Sequence, residues 1–195
     1  MTVAILLGAP GAGKGTQAPL LAEKLGVPVL ASGDLLRGEV ASGSEIGREV
    51  DSIMRSGELV PDDLTVQLIR ERLAEPDAER GFVLDGFPRN LPQAEALDAM
   101  LAGIGRDLDA VLFFDISDDV SVERLRGRAR EEGREDDAPD AIARRLELYH
   151  EQTEPVVERY RASGKLLPIH AERTIDQVAA EIAEALELLD EEAVA

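Results

Sequence analysis

A glycine-rich segment with one lysine follows an apolar run near the start of the chain. Residues Gly8 to Thr16 have the order Gly-Ala-Pro-Gly-Ala-Gly-Lys-Gly-Thr, directly after Val3–Leu7 and before a helical pattern. In such a turn, glycines let backbone N–H groups wrap around a phosphate, the helix offers its positive end, and the lysine adds a point charge. The segment predicts a loop that binds a nucleoside triphosphate, with Lys14 between the β- and γ-phosphates.

The residue after this lysine departs from the usual pattern. Phosphate-binding loops generally have Ser or Thr there to ligate Mg²⁺, whereas this chain has Gly15, with Thr16 one position later. Mg²⁺ is therefore expected to depend on phosphates, waters and carboxylates elsewhere. A hard, oxygen-bound ion is the expected metal because the chain has no cysteine and only two histidines.

A second motif supplies a carboxylate and an arginine. The apolar run Phe82–Leu84 leads into Asp85-Gly86-Phe87-Pro88-Arg89. Asp85 is expected at the carboxyl end of a strand, the edge where ligands bind in open parallel sheets, and is well placed to order Mg²⁺-bound water. Gly86 and Pro88 shape a turn that presents Arg89 to an anion.

Further arginines suit the transfer of a phosphoryl group between two nucleotides. That reaction brings many negative oxygens together, and bidentate guanidinium groups bind them better than ammonium groups do. Arg124 and Arg128 are four residues apart, hence on one helix face, and Arg134 and Arg145 flank the same hinge. An acceptor phosphate is already ionised at neutral pH, so no general base is required.

Short apolar runs alternate with longer helical patterns, which predicts an α/β fold with a five-stranded parallel sheet flanked by helices. The strand candidates are Val3–Leu7, Pro28–Leu30, Phe82–Leu84, Val111–Ile116 and Leu166–Ile169. The helix candidates lie near 14–25, 34–42, 45–56, 62–74, 92–102, 118–130, 139–162 and 175–189.

The 195 residues fit one domain with two small additions. The core comprises 1–30, 61–127 and 138–195, and residues 31–60 form an inserted lobe. The charged segment Arg128–Asp137 is predicted to be a hairpin-like stretch between two helices. Asp136 and Asp137 either pair with arginines at a hinge or belong to a solvated loop, and the acidic tail after Leu189 is expected to fray.

The composition argues against several partners. A net charge of -19 repels nucleic acid and anionic membranes. No apolar run approaches the roughly 20 residues that cross a bilayer. No targeting element is evident, so the cytoplasm is the expected location, and a monomer is expected because no large apolar patch stands out.

Three segments together resemble the nucleoside monophosphate kinases, and specifically the adenylate kinases. These are Gly8–Gln17, Ser32-Gly33-Asp34-Leu35-Leu36-Arg37 and Asp85–Arg89, which occur in the family's order along nearly the whole chain. The resemblance implies a P-loop NTPase-like fold and the reversible, Mg²⁺-dependent conversion of ATP and AMP into two ADP. It makes 31–60 the monophosphate-binding lobe and 128–137 a short lid over ATP, without a structural zinc site.

The same resemblance assigns the site residues. For ATP it implies Gly11, Ala12, Gly13, Lys14, Gly15, Thr16, Arg128 and the backbone of Arg173. For AMP it implies Ser32, Arg37, Glu58, Leu59, Val60, Gly86, Phe87, Pro88, Arg89, Gln93, Arg134 and Arg145. The catalytic set is Lys14, Arg89, Arg124, Arg134 and Arg145, and Asp34 and Asp85 would hold Mg²⁺ through water.

Three alternative functions have less support in the sequence. A UMP/CMP kinase usually has alanine in place of Ser32 and asparagine in place of Gln93, and Gln93 offers the donor and acceptor that suit an adenine edge. A non-catalytic nucleotide-binding module would be expected to lose Lys14 or some of the arginines. A small-metabolite kinase has no evident use for the turn that ends at Arg89.

Overall fold

The computed structural model describes residues 2–192, together with their side chains except those of 135 and 188–192. The tail expected to fray after Leu189 falls outside the described side chains. Five apolar segments form one sheet with the strand order β2-β3-β1-β4-β5. The strands are β1 Thr2–Gly8, β2 Val29–Ala31, β3 Gly81–Asp85, β4 Ala110–Asp115 and β5 Leu166–His170.

All described strand pairs are parallel, and β1 lies in the middle of the sheet. Its register with β3 places Leu6 beside Asp85. The carboxyl ends of β1 and β3 therefore lie side by side, which brings the glycine-rich loop next to the turn that contains Arg89. The predicted α/β fold with a five-stranded parallel sheet is confirmed.

Nine α-helices connect and flank these strands in the described part of the chain. They are α1 Lys14–Leu25, α2 Ser32–Ser42, α3 Glu45–Arg55, α4 Asp62–Leu73, α5 Leu91–Gly103, α6 Asp118–Glu132, α7 Pro139–Leu148, α8 Glu154–Ala162 and α9 Ile175–Glu192.

The two faces of the sheet carry separate apolar clusters, because successive strand residues point to opposite faces. Val3, Ile5 and Leu84 belong to a cluster that includes residues of α5 and α8. Leu6 and Val83 belong to another, with residues of α1 and α9. Helices thus cover both faces, which explains why the strands are continuous apolar runs.

The inserted segment has a small apolar cluster of its own. Leu36 and Val50, from α2 and α3, are buried together with Val60. The cluster is consistent with a lobe at 31–60, while the division of the chain into core, lobe and lid stays a prediction.

The prediction of a single continuous helix at 139–162 is wrong in one detail. Helix α7 ends at Leu148, a π-helical turn spans Tyr149–Thr153, and α8 begins at Glu154. Pro155 lacks an N–H group, and its ring would clash with the carbonyl group four residues earlier in a regular helix. A wider turn accommodates the proline and keeps the chain helical.

The hairpin-like prediction for Arg128–Asp137 is wrong for its first half. Helix α6 continues to Glu132 and is capped by Gly133, after which a 3₁₀ turn at Glu135–Asp137 leads into α7. Alanine, arginine and glutamate between 128 and 132 all favour helix. The charged residues between 128 and 132 therefore continue a helix and do not mark a loop.

Candidate active site

A cleft of about 840 Å³ lies over the carboxyl edge of the sheet. The glycine-rich loop lines it together with the turn after β3 and residues of α2, α6, α7 and the start of α9. This is the edge at which parallel α/β sheets place their ligands.

The glycine-rich loop and the start of α1 form the floor of the cleft. Lys14 Nζ donates hydrogen bonds to the carbonyl oxygens of Gly8 (2.8 Å) and Ala9 (2.9 Å). Burial lowers the pKa of Lys14 to about 8, although the nearby Asp85 raises it. Gly11 is packed so tightly that a Cβ would lie 2.8 Å from the carbonyl oxygen of Ser121, and its φ is +83°. Glycine is thus required for the loop to lie against α6.

Asp85 lies beside Gly15, the loop position where a hydroxyl group would usually ligate Mg²⁺. A Cβ built on Gly15 would lie 3.6 Å from Asp85 Oδ2, and both Asp34 and Asp85 line the cleft. These oxygens suit Mg²⁺. Among the described residues, no group of three or more His, Cys, Asp or Glu side chains is placed to hold a metal. The two carboxylates at this edge fit an ion that takes most of its ligands from phosphates and water.

Arg89 is fixed at three points. Its Nε donates to the carbonyl oxygen of Gly86 (2.7 Å), its main-chain N–H donates to Gln93 Oε1 (2.8 Å), and its main-chain oxygen accepts from Thr153 Oγ1 (2.7 Å). Burial and, to a smaller extent, the positive charge of Arg145 lower the pKa of Arg89 to about 10. The guanidinium stays protonated at neutral pH in a site where positive charge is not fully compensated.

Arginines of α6, of α7 and of the segment between them meet in the same cleft. Arg124, Arg128, Arg134 and Arg145 all line it. Asp137 accepts from Arg128 Nε (2.6 Å) and Nη2 (2.7 Å), and from Arg145 Nη1 (2.8 Å). Of the two interpretations of the acidic pair, the structure supports ion pairing for Asp137, which is buried at 2 % relative exposure.

The pKa of Asp137 reflects two opposing effects. Burial alone raises it, but the hydrogen bonds from Arg128 and the charges of Arg128 and Arg145 are stronger, and the net pKa is lowered. The carboxylate is therefore ionised at neutral pH and holds both guanidinium groups in one orientation. Burial, the largest influence on Arg145, lowers the pKa of its guanidinium group.

The side of the cleft formed by α2 carries a second charged group. Arg37 Nη2 contacts Asp34 Oδ1 at 2.5 Å, and both line the cleft. Glu58 and Leu59 also line it. The Glu58 carboxylate is turned to Arg144, with Oε1 2.7 Å from Arg144 Nε, and this hydrogen bond lowers the pKa of Glu58.

Four of the predicted residues are not among the residues described as lining the cleft, namely Ser32, Val60, Phe87 and Gln93. Ser32 Oγ donates to the carbonyl oxygen of Gly86 (2.7 Å), and Phe87 is fully buried. Gln93 is 1 % exposed, and its Nε2 donates to Asp62 Oδ1 (2.7 Å). Ser32 and Gln93 thus support the turn that contains Phe87, whereas Val60 packs with Leu36 and Val50. The contact of all four with AMP stays a prediction.

Two residues that hold this turn were not found from the sequence. Thr153 binds the main chain of Arg89, and Asp62 binds Gln93. Pro155 was a usable signal for an irregular turn at Thr153. Asp62 carried no signal of its own, since an acidic residue in the first turn of a helix is common.

The remaining predicted residues that line the cleft are Ala12, Gly13, Thr16, Pro88 and Arg173. Arg173 lies with Thr174 and Ile175 at the start of α9, beside α1. His150 and His170, the two histidines of the chain, bind carboxylates at exposed positions.

The sequence profile of the family described as adenylate kinase matches residues 6–165 of this chain. The chain belongs to the adenylate kinase family. An adenylate kinase of Stenotrophomonas maltophilia is 46 % identical over 182 residues, which cover 93 % of this chain and 97 % of that protein. One of Parvibaculum lavamentivorans is 50 % identical over 181 residues, covering 91 % and 88 % of the two chains. An adenylate kinase of Xylella fastidiosa is 46 % identical over 182 residues, covering 93 % and 97 %.

Membership of this family makes the protein a nucleoside monophosphate kinase, a phosphotransferase. The cleft agrees with that class, because one basic loop and a separate group of arginines line the same space. In the part of the chain that the structure describes, no helix combines the length and apolar character needed to span a bilayer.

Proposed function

We propose that the protein catalyses the reversible transfer of the terminal phosphoryl group of ATP to AMP, which gives two ADP. The family places it among the adenylate kinases. Mg²⁺ bound to ATP is part of the proposal, as are a cytoplasmic location and a monomeric state. A pyrimidine monophosphate kinase is the alternative, and the adenylate kinases among its relatives do not favour it.

The observation that carries the proposal is that the half-buried Arg89, whose Nε is held by the carbonyl oxygen of Gly86, lines the same cleft as Arg145 and Lys14. The pKa of Arg89 falls to about 10 through burial and the nearby charge of Arg145, so a dianionic phosphate at this place would relieve both costs. Lys14 and the loop N–H groups offer a separate phosphate site in the same cleft. Two phosphate sites that share one space suit a donor and an acceptor nucleotide.

The residues then divide between the two substrates. ATP would place its phosphates on the backbone from Gly11 to Thr16 and on Lys14, with its base between Arg128 and the backbone of Arg173. AMP would place its phosphate on Arg37 and Arg89. Its base would lie along the lobe, near the residues predicted for it, which are Ser32, Glu58, Leu59, Val60 and Gln93.

The transfer itself needs position and positive charge. An oxygen of the AMP phosphate attacks the γ-phosphorus, and the bond to the β-γ bridging oxygen breaks; no proton has to move, so no base is required. Arg124, Arg134 and Arg145 would approach the oxygens of the moving group as charge spreads over them. Asp137 keeps Arg128 and Arg145 in place for this step.

Mg²⁺ fits the oxygens near the loop. When bound, it neutralises charge on the β- and γ-phosphoryl oxygens. Asp34 and Asp85 would hold its water ligands, because Gly15 offers no hydroxyl group. Closure of the lobe 31–60 and the lid 128–137 over both nucleotides would exclude the water that otherwise hydrolyses ATP.

One assay tests the proposal. The protein is supplied with MgATP and AMP, CMP, UMP or GMP, and ADP formation is followed. AMP is expected to be the best acceptor. Rates with CMP or UMP that equal or exceed the rate with AMP would overturn the assignment, and a lack of turnover with every acceptor would point to a binding module. Arg89→Ala should lower the rate by orders of magnitude and leave ATP binding mostly intact.

A further inference from the structure

Asp62 links the helix that follows the lobe to the helix that follows the Arg89 turn. It lies in the first turn of α4, and its two oxygens accept from Asn90 Nδ2 at 2.9 and 3.1 Å. Its Oδ1 also accepts from Gln93 Nε2 at 2.7 Å. Asn90 is the N-cap residue of α5, and Gln93 lies in the first turn of that helix. One carboxylate therefore binds two carboxamides of a different helix.

A carboxylate at this position decides which way both carboxamides face. An ionised carboxylate can only accept hydrogen bonds, so Asn90 and Gln93 must both turn their NH₂ groups towards it. Their oxygens then point the other way. Asn90 Oδ1 accepts from the main-chain N–H of Gln93 at 2.9 Å, and Gln93 Oε1 accepts from the main-chain N–H of Arg89 at 2.8 Å.

The chain of hydrogen bonds ends at a residue that lines the cleft. Gln93 is 1 % exposed and is buried behind the turn, whereas Arg89 lines the cleft. We infer that Asp62 is a positioning residue for the acceptor phosphate site, because it fixes the carboxamide of Gln93 that holds the main chain of Arg89. The inference rests on the proposed function, since it takes Arg89 as the group that binds the AMP phosphate.

The variant D62N tests this orientation directly. The amide oxygen can replace Oδ1, which accepts from both carboxamides, but the new NH₂ group then opposes the NH₂ group of Asn90, whose Nδ2 lies 3.1 Å from Oδ2. Relief of that contact turns Asn90, or it turns the new amide and with it Gln93. If Gln93 turns, its NH₂ group faces the N–H of Arg89, and two buried donors oppose each other. The turn at Arg89 must then shift. The value of kcat/KM for AMP is expected to fall about tenfold or more, and KM for ATP to stay unchanged.

The double variant D62N/Q93E exchanges the two groups. The carboxylate at position 93 accepts from the N–H of Arg89 and from the amide at position 62, whose oxygen accepts from Asn90. The hydrogen bond between positions 62 and 93 is restored with its direction reversed, and the bonds donated by Asn90 and by the N–H of Arg89 keep their direction, although the negative charge now lies deeper. Its kcat/KM for AMP is expected to exceed that of D62N and of Q93E alone, a coupling that only interacting residues show.

Asp63→Asn is the matched control. Asp63 is the exposed neighbour in the same first turn of α4, so its variant makes the same charge change at the same helix end. It is expected to retain the wild-type kcat/KM for AMP within a factor of about two, as surface substitutions away from such networks usually do. Thermal unfolding of each variant separates loss of fold from loss of positioning.

A second measurement does not depend on activity. Hydrogen exchange at the Arg89 amide, followed by NMR, is expected to be slow in the wild type, faster in D62N and slow again in D62N/Q93E. A fall in Tm for D62N with unchanged kcat/KM and unchanged Arg89 exchange would make Asp62 merely structural and overturn the inference.

A comparison of acceptors distinguishes two roles for Asp62, namely positioning of Arg89 and recognition of the acceptor's base. Arg89 serves the phosphate that all acceptors share, so D62N should lower kcat/KM by the same factor for AMP and for the next-best acceptor of the wild type. A loss confined to AMP, with Arg89 exchange unaffected, would assign Asp62 to base recognition and overturn the inference. Full activity of Arg89→Ala would instead refute the role that the proposed function gives to Arg89.

Discussion

Gly57 lies against the main chain of Ala141, so that a Cβ on Gly57 would be 2.5 Å from the Ala141 carbonyl oxygen and 3.0 Å from its Cα. Gly57 directly follows α3 and its capping residue, and Ala141 belongs to α7. The segment at the end of α3 can approach α7 this closely only because position 57 has no side chain.

Gly57→Ala is therefore expected to lower both stability and turnover. The new Cβ meets backbone that cannot move easily, and the φ of +78° is unfavourable for alanine. Together these should lower the free energy of unfolding by about 2 kcal/mol or more. Because Gly57 also lines the cleft, kcat/KM for AMP should fall as well. Denaturant unfolding and a steady-state assay measure the two effects.

Gly38→Ala is the control for this substitution. Gly38 lies inside α2 with nothing within 4 Å of a built Cβ. Alanine should stabilise that helix by about 0.5–1 kcal/mol. Equal effects of the two substitutions would show that the approach of Gly57 to Ala141 does not constrain the protein.

Asp137→Asn should cost stability near neutral pH. Asp137 accepts hydrogen bonds from Arg128 and Arg145, and an amide leaves part of that positive charge without a partner. The expected loss is about 2 kcal/mol, as for hydrogen bonds to charged groups.

The pH dependence of this loss has a definite sign. The folded-state pKa of Asp137 is lowered: burial alone would raise it, but the two arginines outweigh burial. Its contribution is thus present above the ordinary carboxyl pKa of about 4 and is lost as the pH falls through the lower, folded value. The gap between wild type and Asp137→Asn should be constant above about pH 5 and narrow below about pH 4. A gap that widens in acid would contradict the ion-paired state.

The strands, and the position of Asp85 at the edge of the cleft, were predictable because the local sequence determines them. Continuous apolar runs mark strands that helices cover on both faces, and β3, predicted at Phe82–Leu84, extends by one residue at each end. Asp85 could be placed because the residue that ends a parallel strand lies at the ligand-binding edge whatever the rest of the fold does.

The support of the Arg89 turn was not predictable, because it depends on contacts between distant residues. Gln93 and Asp62 are 31 residues apart, and Thr153 lies 64 residues from Arg89. Gln93 offers a donor and an acceptor to any neighbour, and the resemblance to the adenylate kinases assigned them to the AMP base. The fold decides which neighbours it has, and in the structure they are Asp62 and the main chain of Arg89.

His150→Gln is expected to have a small effect that disappears at high pH. His150 hydrogen bonds to Glu154 on α8 and Asp118 on α6, and these bonds raise its pKa. Its contribution is fully present below the unfolded pKa of about 6.5 and is lost as the pH rises through the folded value.

The side chain of His150 is 42 % exposed, so solvent screens the pair and the effect should be about 0.5 kcal/mol. Unfolding at pH 6 should separate the variant from the wild type, and unfolding at pH 9 should not. Salt at 1 M should also remove the difference, since exposed pairs are strongly screened there. A difference that grows with pH would show that His150 acts through packing instead of charge.

Thr153→Val should weaken the acceptor site with little change in shape. Valine keeps the volume of threonine but removes the hydroxyl group that donates to the main-chain oxygen of Arg89. Thr153 is 8 % exposed. The main-chain oxygen of Arg89 therefore loses its donor in a mostly buried environment, which should lower the free energy of unfolding by about 1 kcal/mol. The Arg89 turn is then held mainly through Gln93, and kcat/KM for AMP should fall several-fold while ATP binding is kept.

Thr153→Ser supplies the matched comparison, because serine keeps the hydroxyl group and loses only a methyl group. The serine variant should retain most of the wild-type kcat/KM for AMP and should differ from the wild type mainly in Tm. If the valine and serine variants lose the same amount of activity, the methyl packing of the π-helical turn matters and the hydrogen bond to Arg89 does not. If only valine loses activity, the irregular turn before Pro155 serves to bring one hydroxyl group to the back of the phosphate site.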